Sequence, residues 1–200
     1  MKTRAGISFF LLFAFSSTLC VAGPFGFDYG MSKQDVVKIV GKNAIVEDDG
    51  DMLTLSTAPK PHGDFDKYLL IISPEKGLLK IVAVGIDIDT SGDGTQLKDE
   101  FEKLRTALSA NYGQPEHDFD FLHAGSIWTD DQDWMMGLLK QDRSLASYWD
   151  ANPALRPNFE GIALEAKALS SDKGYVVLSY EFDGWGRYAD QRQAQKDKVL

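Results

Sequence analysis

Cysteine is almost missing from this chain. Cys20 is the only one in 200 residues, and a disulfide framework needs pairs, so packing must hold the fold. Basic side chains are outnumbered, 21 Lys and Arg against 30 Asp and Glu. That balance repels nucleic acid and anionic lipid surfaces. It suits a cationic ligand or a basic protein partner. Long hydrophobic runs are lacking too. The run from Ile7 to Leu19 (ISFFLLFAFSSTL) falls short of the roughly 20 residues that span a bilayer. No GxSxG elbow, HExxH helix or phosphate-binding glycine loop occurs. The carboxylates are many but scattered, so no acid–base pair can be named. The chain therefore reads as no enzyme and as needing no cofactor. The alternative is a hydrolase or small-ligand protein whose serines, carboxylates and His62 meet only in three dimensions.

What is present begins with a leader. Lys2 and Arg4 precede the apolar run, and Cys20-Val21-Ala22 supplies small residues at its end. This is the pattern of a secretory signal peptide cut after Ala22. Leu19 stands where lipidation at Cys20 would require a small residue, so simple cleavage is expected. The exported chain would be periplasmic or secreted, with about 178 residues (200 − 22) and no transmembrane segment. Losing Lys2 and Arg4 leaves 19 basic against 30 acidic side chains, a net charge of −11. A hydrophobic content of 44% marks the remainder as globular rather than disordered.

The hydrophobic pattern predicts an α+β fold. Ser32-x-x-Asp35 before Val36, Val37, Ile39 and Val40, closed by Gly41, predicts a capped helix over 33–40. Strands follow at 52–57, 68–73 and 78–88, with Pro74 to Gly77 as a hairpin turn. Leu97, Phe101, Leu104, Leu108 and Tyr112 recur at helical spacing until Gly113. Strands then follow at 144–149, 161–169 and 175–182. The expected organisation is a tandem repeat of one helix and a three-stranded antiparallel meander, at 23–92 and 93–184. An insert is expected at about 114–142. There Trp134, Leu138 and Leu139 fit a helix capped by Thr129, and a continuous helix through Trp149 fits equally. Residues 185–200 read as a polar C-terminal tail, with Asp190 to Lys198 open to a frayed helix. Trp128, Trp134 and Trp149 are assigned to the core. Phe25, Phe27 and Tyr29 are expected to fasten the first helix to the sheet.

Three stretches carry candidate chemistry. In DIDTSGDGTQLKDE, Asp87, Asp89, Ser91 and Asp93 occupy places one, three, five and seven of a calcium loop. Lys98 stands where the bidentate glutamate belongs, and a strand leads in rather than a helix. The competing reading is a connector, with Asp93 as N-cap and Gln96 at N3. His117, Asp118, Asp120 and His123 could hold zinc, yet the segment alternates as a strand does. Asp183-Gly-Trp185-Gly-Arg187-Tyr188 unites residue types that anchor protein interfaces. Trp185, Arg187 and Tyr188 are therefore the binding candidates. The competing placement folds Trp185 over the core as a lid.

The stretch PFGFDYGMSKQDVVKIVG carries a resemblance. Its Gly30-Met31-Ser32, Val36-Val37 and Gly41 are similar to the first helix of the BamE/SmpA outer-membrane assembly family. The order of elements resembles the β-lactamase-inhibitor-protein-like architecture, in which two helix-plus-sheet repeats form a concave binding face. The resemblance implies a curved sheet with helices on one face. It also implies an exported, non-enzymatic module that binds an envelope protein, or an enzyme or toxin to be neutralised.

Overall fold

The computed structural model describes residues 23–150 and 158–198. The expected leader and its cleavage site lie outside them. Among the described residues the chain forms α1 (Lys33–Val40), β1 (Ile45–Asp49), β2 (Met52–Leu55), β3 (Phe65–Ser73), β4 (Gly77–Gly85) and β5 (Ile88–Asp89). There follow α2 (Thr95–Tyr112), β6 (His117–Leu122), α3 (Trp134–Leu139), β7 (Arg143–Trp149), β8 (Phe159–Ala168), β9 (Lys173–Phe182) and α4 (Trp185–Asp197). The fold is α+β, with one antiparallel sheet in the order β1-β2-β3-β4-β9-β8-β7-β6; β5 pairs with β9 as well. None of these helices is long and apolar enough to cross a membrane.

The signals at α1 act as read. The Ser32 hydroxyl accepts from the Asp35 N–H at 3.2 Å, and the Asp35 carboxylate accepts from the Ser32 N–H at 3.1 Å. Gly41 stops α1 at φ 78°. Gly30 and Gly77, both at positive φ, bring two backbones together. A Cβ on Gly77 would lie 2.1 Å from the Gly30 carbonyl oxygen. That approach lets Leu78 N–H donate to the Met31 carbonyl at 2.8 Å, fixing the start of α1 against β4.

Strand periodicity divides the sheet into two faces. One face turns Tyr68, Leu70, Ile81, Ala83, Ile162, Leu164, Leu178 and Tyr180 into a single core. Onto it pack Val36 of α1, the five apolar residues of α2, and Met135 and Leu138 of α3. Trp149 is fully buried there, and its indole N–H donates to the Gly113 carbonyl at 2.8 Å. Phe25 and Phe27 pack on the same side, Phe25 edge-on to Phe65, Tyr68 and Tyr180.

Several expectations are corrected. Each helix-led half contributes four strands to the main path of the sheet, not three. In the first half β1 was missed because its Glu47-Asp48-Asp49 has low strand propensity. In the second half, residues expected in the insert form β6, the outermost strand of the sheet. Residues 130–149 are not one helix: α3 ends at Leu139, and Gln141 at φ 61° turns the chain into β7. Asp130, not Thr129, caps the turn before α3 by accepting from the Gln132 N–H at 3.0 Å. Trp128 is only half-buried, outside the core. The polar tail is helical to Asp197.

The segment leading into α3 docks on the stretch 87–100. The Met135 N–H donates to the Gly92 carbonyl at 2.9 Å. A Cβ on Gly92 would meet the Gln132 carbonyl oxygen at 2.4 Å, and one on Gly94 would meet the Trp134 ring at 2.3 Å. Gly94→Ala therefore has two faults, a side chain at φ 74° and a clash with a buried indole. It is expected to lower unfolding free energy by more than about 1 kcal/mol in urea titrations. Gly63→Ala, with open space around it, should change little.

Candidate functional site

The four calcium-loop candidates do not converge. Asp87 and Asp89 turn to the Lys173 ammonium, at 3.9 and 3.3 Å. Asp93 instead takes the Ser91 hydroxyl, the Thr95 hydroxyl at 2.8 Å and the Thr95 N–H at 3.3 Å. Those bonds, the Ser91 one first, hold its carboxyl below the usual range. The N-cap of α2 is Gly94 rather than Asp93. Gln96 reaches back to accept from the Thr90 hydroxyl at 2.8 Å and the Ser91 N–H at 3.1 Å. Lys98, the cation in place of the loop's glutamate, lies 4.4 Å from the centroid of the Trp134 ring. In the structure the stretch runs from β5 into α2, and its two glycines make room for the segment entering α3. No three His, Cys, Asp or Glu among the described residues are grouped to hold a metal ion.

The zinc candidates separate by strand alternation. His117, Phe119 and Phe121 share one face of β6 with Tyr148 of β7, and His123 continues the row. Asp118 and Asp120 point to the helix side. There Asp118 accepts from Ser147 and from Arg105 at 3.2 Å, and Asp120 pairs with Arg143 at 3.4 Å. Histidines and aspartates are thus on opposite sides of the sheet.

Trp185, Arg187 and Tyr188 sit on the first turn of α4 rather than in a free loop. Glu160 of β8 caps this helix, accepting from the Gly184 N–H at 2.7 Å and the Gly186 N–H at 3.1 Å. Trp185 is half-buried outside the core, so it does not close over it, and the Lys80 ammonium stands 4.7 Å from its ring centroid. The Tyr188 hydroxyl donates to Asp51, which also takes Arg192 at 3.0 Å. Burial, and then Asp51, push the Tyr188 phenol up to about 12. Arg187 is exposed.

The structure brings together a set of residues that sequence reasoning did not assemble. The face of the sheet opposite the core carries Leu69, Val82, Val84, Val177 and Ala163 across strands β3, β4, β9 and β8. All five are half-buried, while their core-facing neighbours are buried. Solvent faces of antiparallel sheets are usually polar. Here the five apolar residues run across the centre, with Ser179 and Glu165 among them, toward the β6 aromatic row, where Phe119 and Phe121 are each 40% exposed. Lys80 bonds Glu181 at 2.7 Å at the α4 end, and the Tyr148 hydroxyl bonds Glu165 at 3.2 Å. Burial first, then the Glu165 charge, push the Tyr148 phenol up to about 12.

A cleft opens at one end of this face. β7 and β8 pair only over Ala146–Trp149 and Ile162–Glu165, so their other ends part. The space is about 630 Å³, lined by Phe121, Leu139, Ser144, Lys167 and Tyr175 among others, and no histidine lines it. Comparison with protein-family models, curated proteins and solved structures found no match.

Two outcomes follow from this geometry. Millimolar calcium should leave the melting temperature unchanged, because the loop's carboxylates already face Lys173 and the start of α2; a clear upward shift would restore the metal reading. Tyr148 ionises near 10 when unfolded and about 12 when folded. Its contribution to stability is complete below pH 10 and is lost as pH rises from 10 to 12. Tyr148→Phe should therefore lose stability less steeply than the parent over that interval, measured by urea midpoint against pH.

Proposed function

We propose that this chain is an exported, non-catalytic module that binds another protein through the open face of its sheet. The observation that carries this reading is the apolar strip Leu69, Val82, Val84, Val177 and Ala163, flanked by Phe119, Phe121 and Tyr148. A contiguous apolar patch on a solvent face marks an interaction surface. Aromatic anchors beside it are the residues that dominate interface energies. The leader at residues 1–22 supports a periplasmic or secreted location.

We also read the two halves as a duplication. Each begins with a helix, and the strand order runs β1-β2-β3-β4 from one edge and β6-β7-β8-β9 from the other. Two such units meeting at their last strands would give the continuous face that the inhibitor-like resemblance implies. The partner is then an envelope protein, or an enzyme or toxin to be neutralised. The hydrolase alternative has less support. The cleft between β7 and β8 holds Tyr148, Glu165 and Lys167 but no histidine, and a phenol titrating near 12 is a poor base at neutral pH.

Immobilised protein challenged with an extract of its own cell envelope tests this reading. Val177→Glu introduces a charge at the centre of the face and is expected to lower capture of a discrete partner by about tenfold or more. Trp185→Ala, run beside it, reports whether the contact reaches α4. Equal capture by the parent and by Val177→Glu would remove the face from the account.

A further inference from the structure

The two edges of the sheet are unlike. At β1 the edge carries Glu47, Asp48 and Asp49, and its register shifts between Ile45 and Glu47. A register irregularity of this kind disfavours strand addition. At β6 the register against β7 is unbroken for six residues, from His117 opposite Tyr148 to Leu122 opposite Arg143. β6 has no proline, no lysine and no bulge, and it terminates the sheet among the described residues.

The hydrogen-bond phase fixes which groups are free. His123 N–H donates to the Asp142 carbonyl at 2.7 Å, in step with the β6–β7 register. Alternation then turns the backbone groups of His117, Phe119 and Phe121 toward β7. Those of Asp118, Asp120 and Leu122 point away from the sheet. The outward N–H and C=O groups thus belong to residues whose side chains lie on the helix side. Phe119 and Phe121 lie on the other.

We propose that β6 accepts an extended segment of another protein as a further strand, and that this segment alternates basic with β-branched or aromatic residues. Its basic positions would stand opposite Asp118 and Asp120, whose side chains are 52% and 56% exposed, and would share them with Arg105 and Arg143. Its apolar positions would meet Phe119 and Phe121. The surroundings favour such a strand: residues 116–143 hold seven carboxylates against Lys140 and Arg143. A second copy of this chain is disfavoured in the two antiparallel registers that overlap most of β6. Antiparallel self-pairing with matched faces, centred on Phe119, sets Asp118 against Asp120 of the second copy. Centred on Asp120, it sets that residue against itself. Like charges directly opposite destabilise a strand pair. The proposal concerns the edge and stands whether or not the open face binds.

Three synthetic peptides of about ten residues test it: alternating Val-Lys, alternating Val-Glu and alternating Gly-Lys. In calorimetric titrations Val-Lys should bind about tenfold or more tighter than either control. Hydrogen exchange in the complex should slow at the amides of Asp118, Asp120 and Leu122. Asp120→Pro removes an outward N–H that the β6–β7 ladder does not use, so the fold should persist while binding drops about tenfold. If that variant fails to fold, the exchange pattern of the parent chain decides alone. Equal affinity for Val-Lys and Gly-Lys would mean charge attraction only and would overturn the proposal. So would slowed exchange confined to β4 and β9, or a peptide-free dimer protected at β6.

Discussion

The pairing of β4 with β9 is the interaction on which the rest of the architecture depends. Lys80 to Val84 lie antiparallel to Val177 to Glu181, so the last strand of each half meets the last strand of the other. Ile81 opposite Tyr180 and Ala83 opposite Leu178 face the helices and sit in the common core. Val82 opposite Ser179 and Val84 opposite Val177 face outward. One seam therefore joins the halves into a single sheet and makes the open face continuous. Without it the sheet would fall into two smaller pieces, and smaller units bury a smaller fraction of their surface on folding.

Backbone proximity accounts for the two glycines in the stretch that most resembles a cation site. Gly92 and Gly94 are small because the segment entering α3 presses on them. Lys98 is basic because an indole face lies above it. Asp87 and Asp89 answer Lys173 across the β5–β9 contact. Asp87, Asp89, Gly92, Gly94 and Lys98 each meet a partner in β9 or in the segment around α3, which no local spacing rule can supply.

The legible parts were those governed by local rules. The capping box at Ser32–Asp35, the helical period of Leu97 to Tyr112 and the β3–β4 and β8–β9 hairpins all follow from short-range pattern. β6 was half-legible: HDFDFLH alternates, which is a strand signal, but the same residues spell a histidine–carboxylate cluster. Alternation wins because a period of two sends histidine and aspartate to opposite faces. α4 is legible only as a polar tail or a frayed helix, because its sequence has no apolar face to dock. Its helix start depends on Glu160, contributed by β8.

The sequence by itself determined the class of element at most positions, the α+β composition, the exclusion of disulfides and the acidic character. These depend on composition and on contacts within a turn or a hairpin. Only the tertiary structure decided that the sheet closes through β4 and β9, that β6 forms one edge, and that Leu69, Val82, Val84, Ala163 and Val177 share an outer face. Strand order is set by pairings between residues far apart in the chain. A strand's pattern states that one side is apolar, but not which neighbour it takes. An apolar residue on a fully covered strand and one on an open face also look alike until the neighbours are in place.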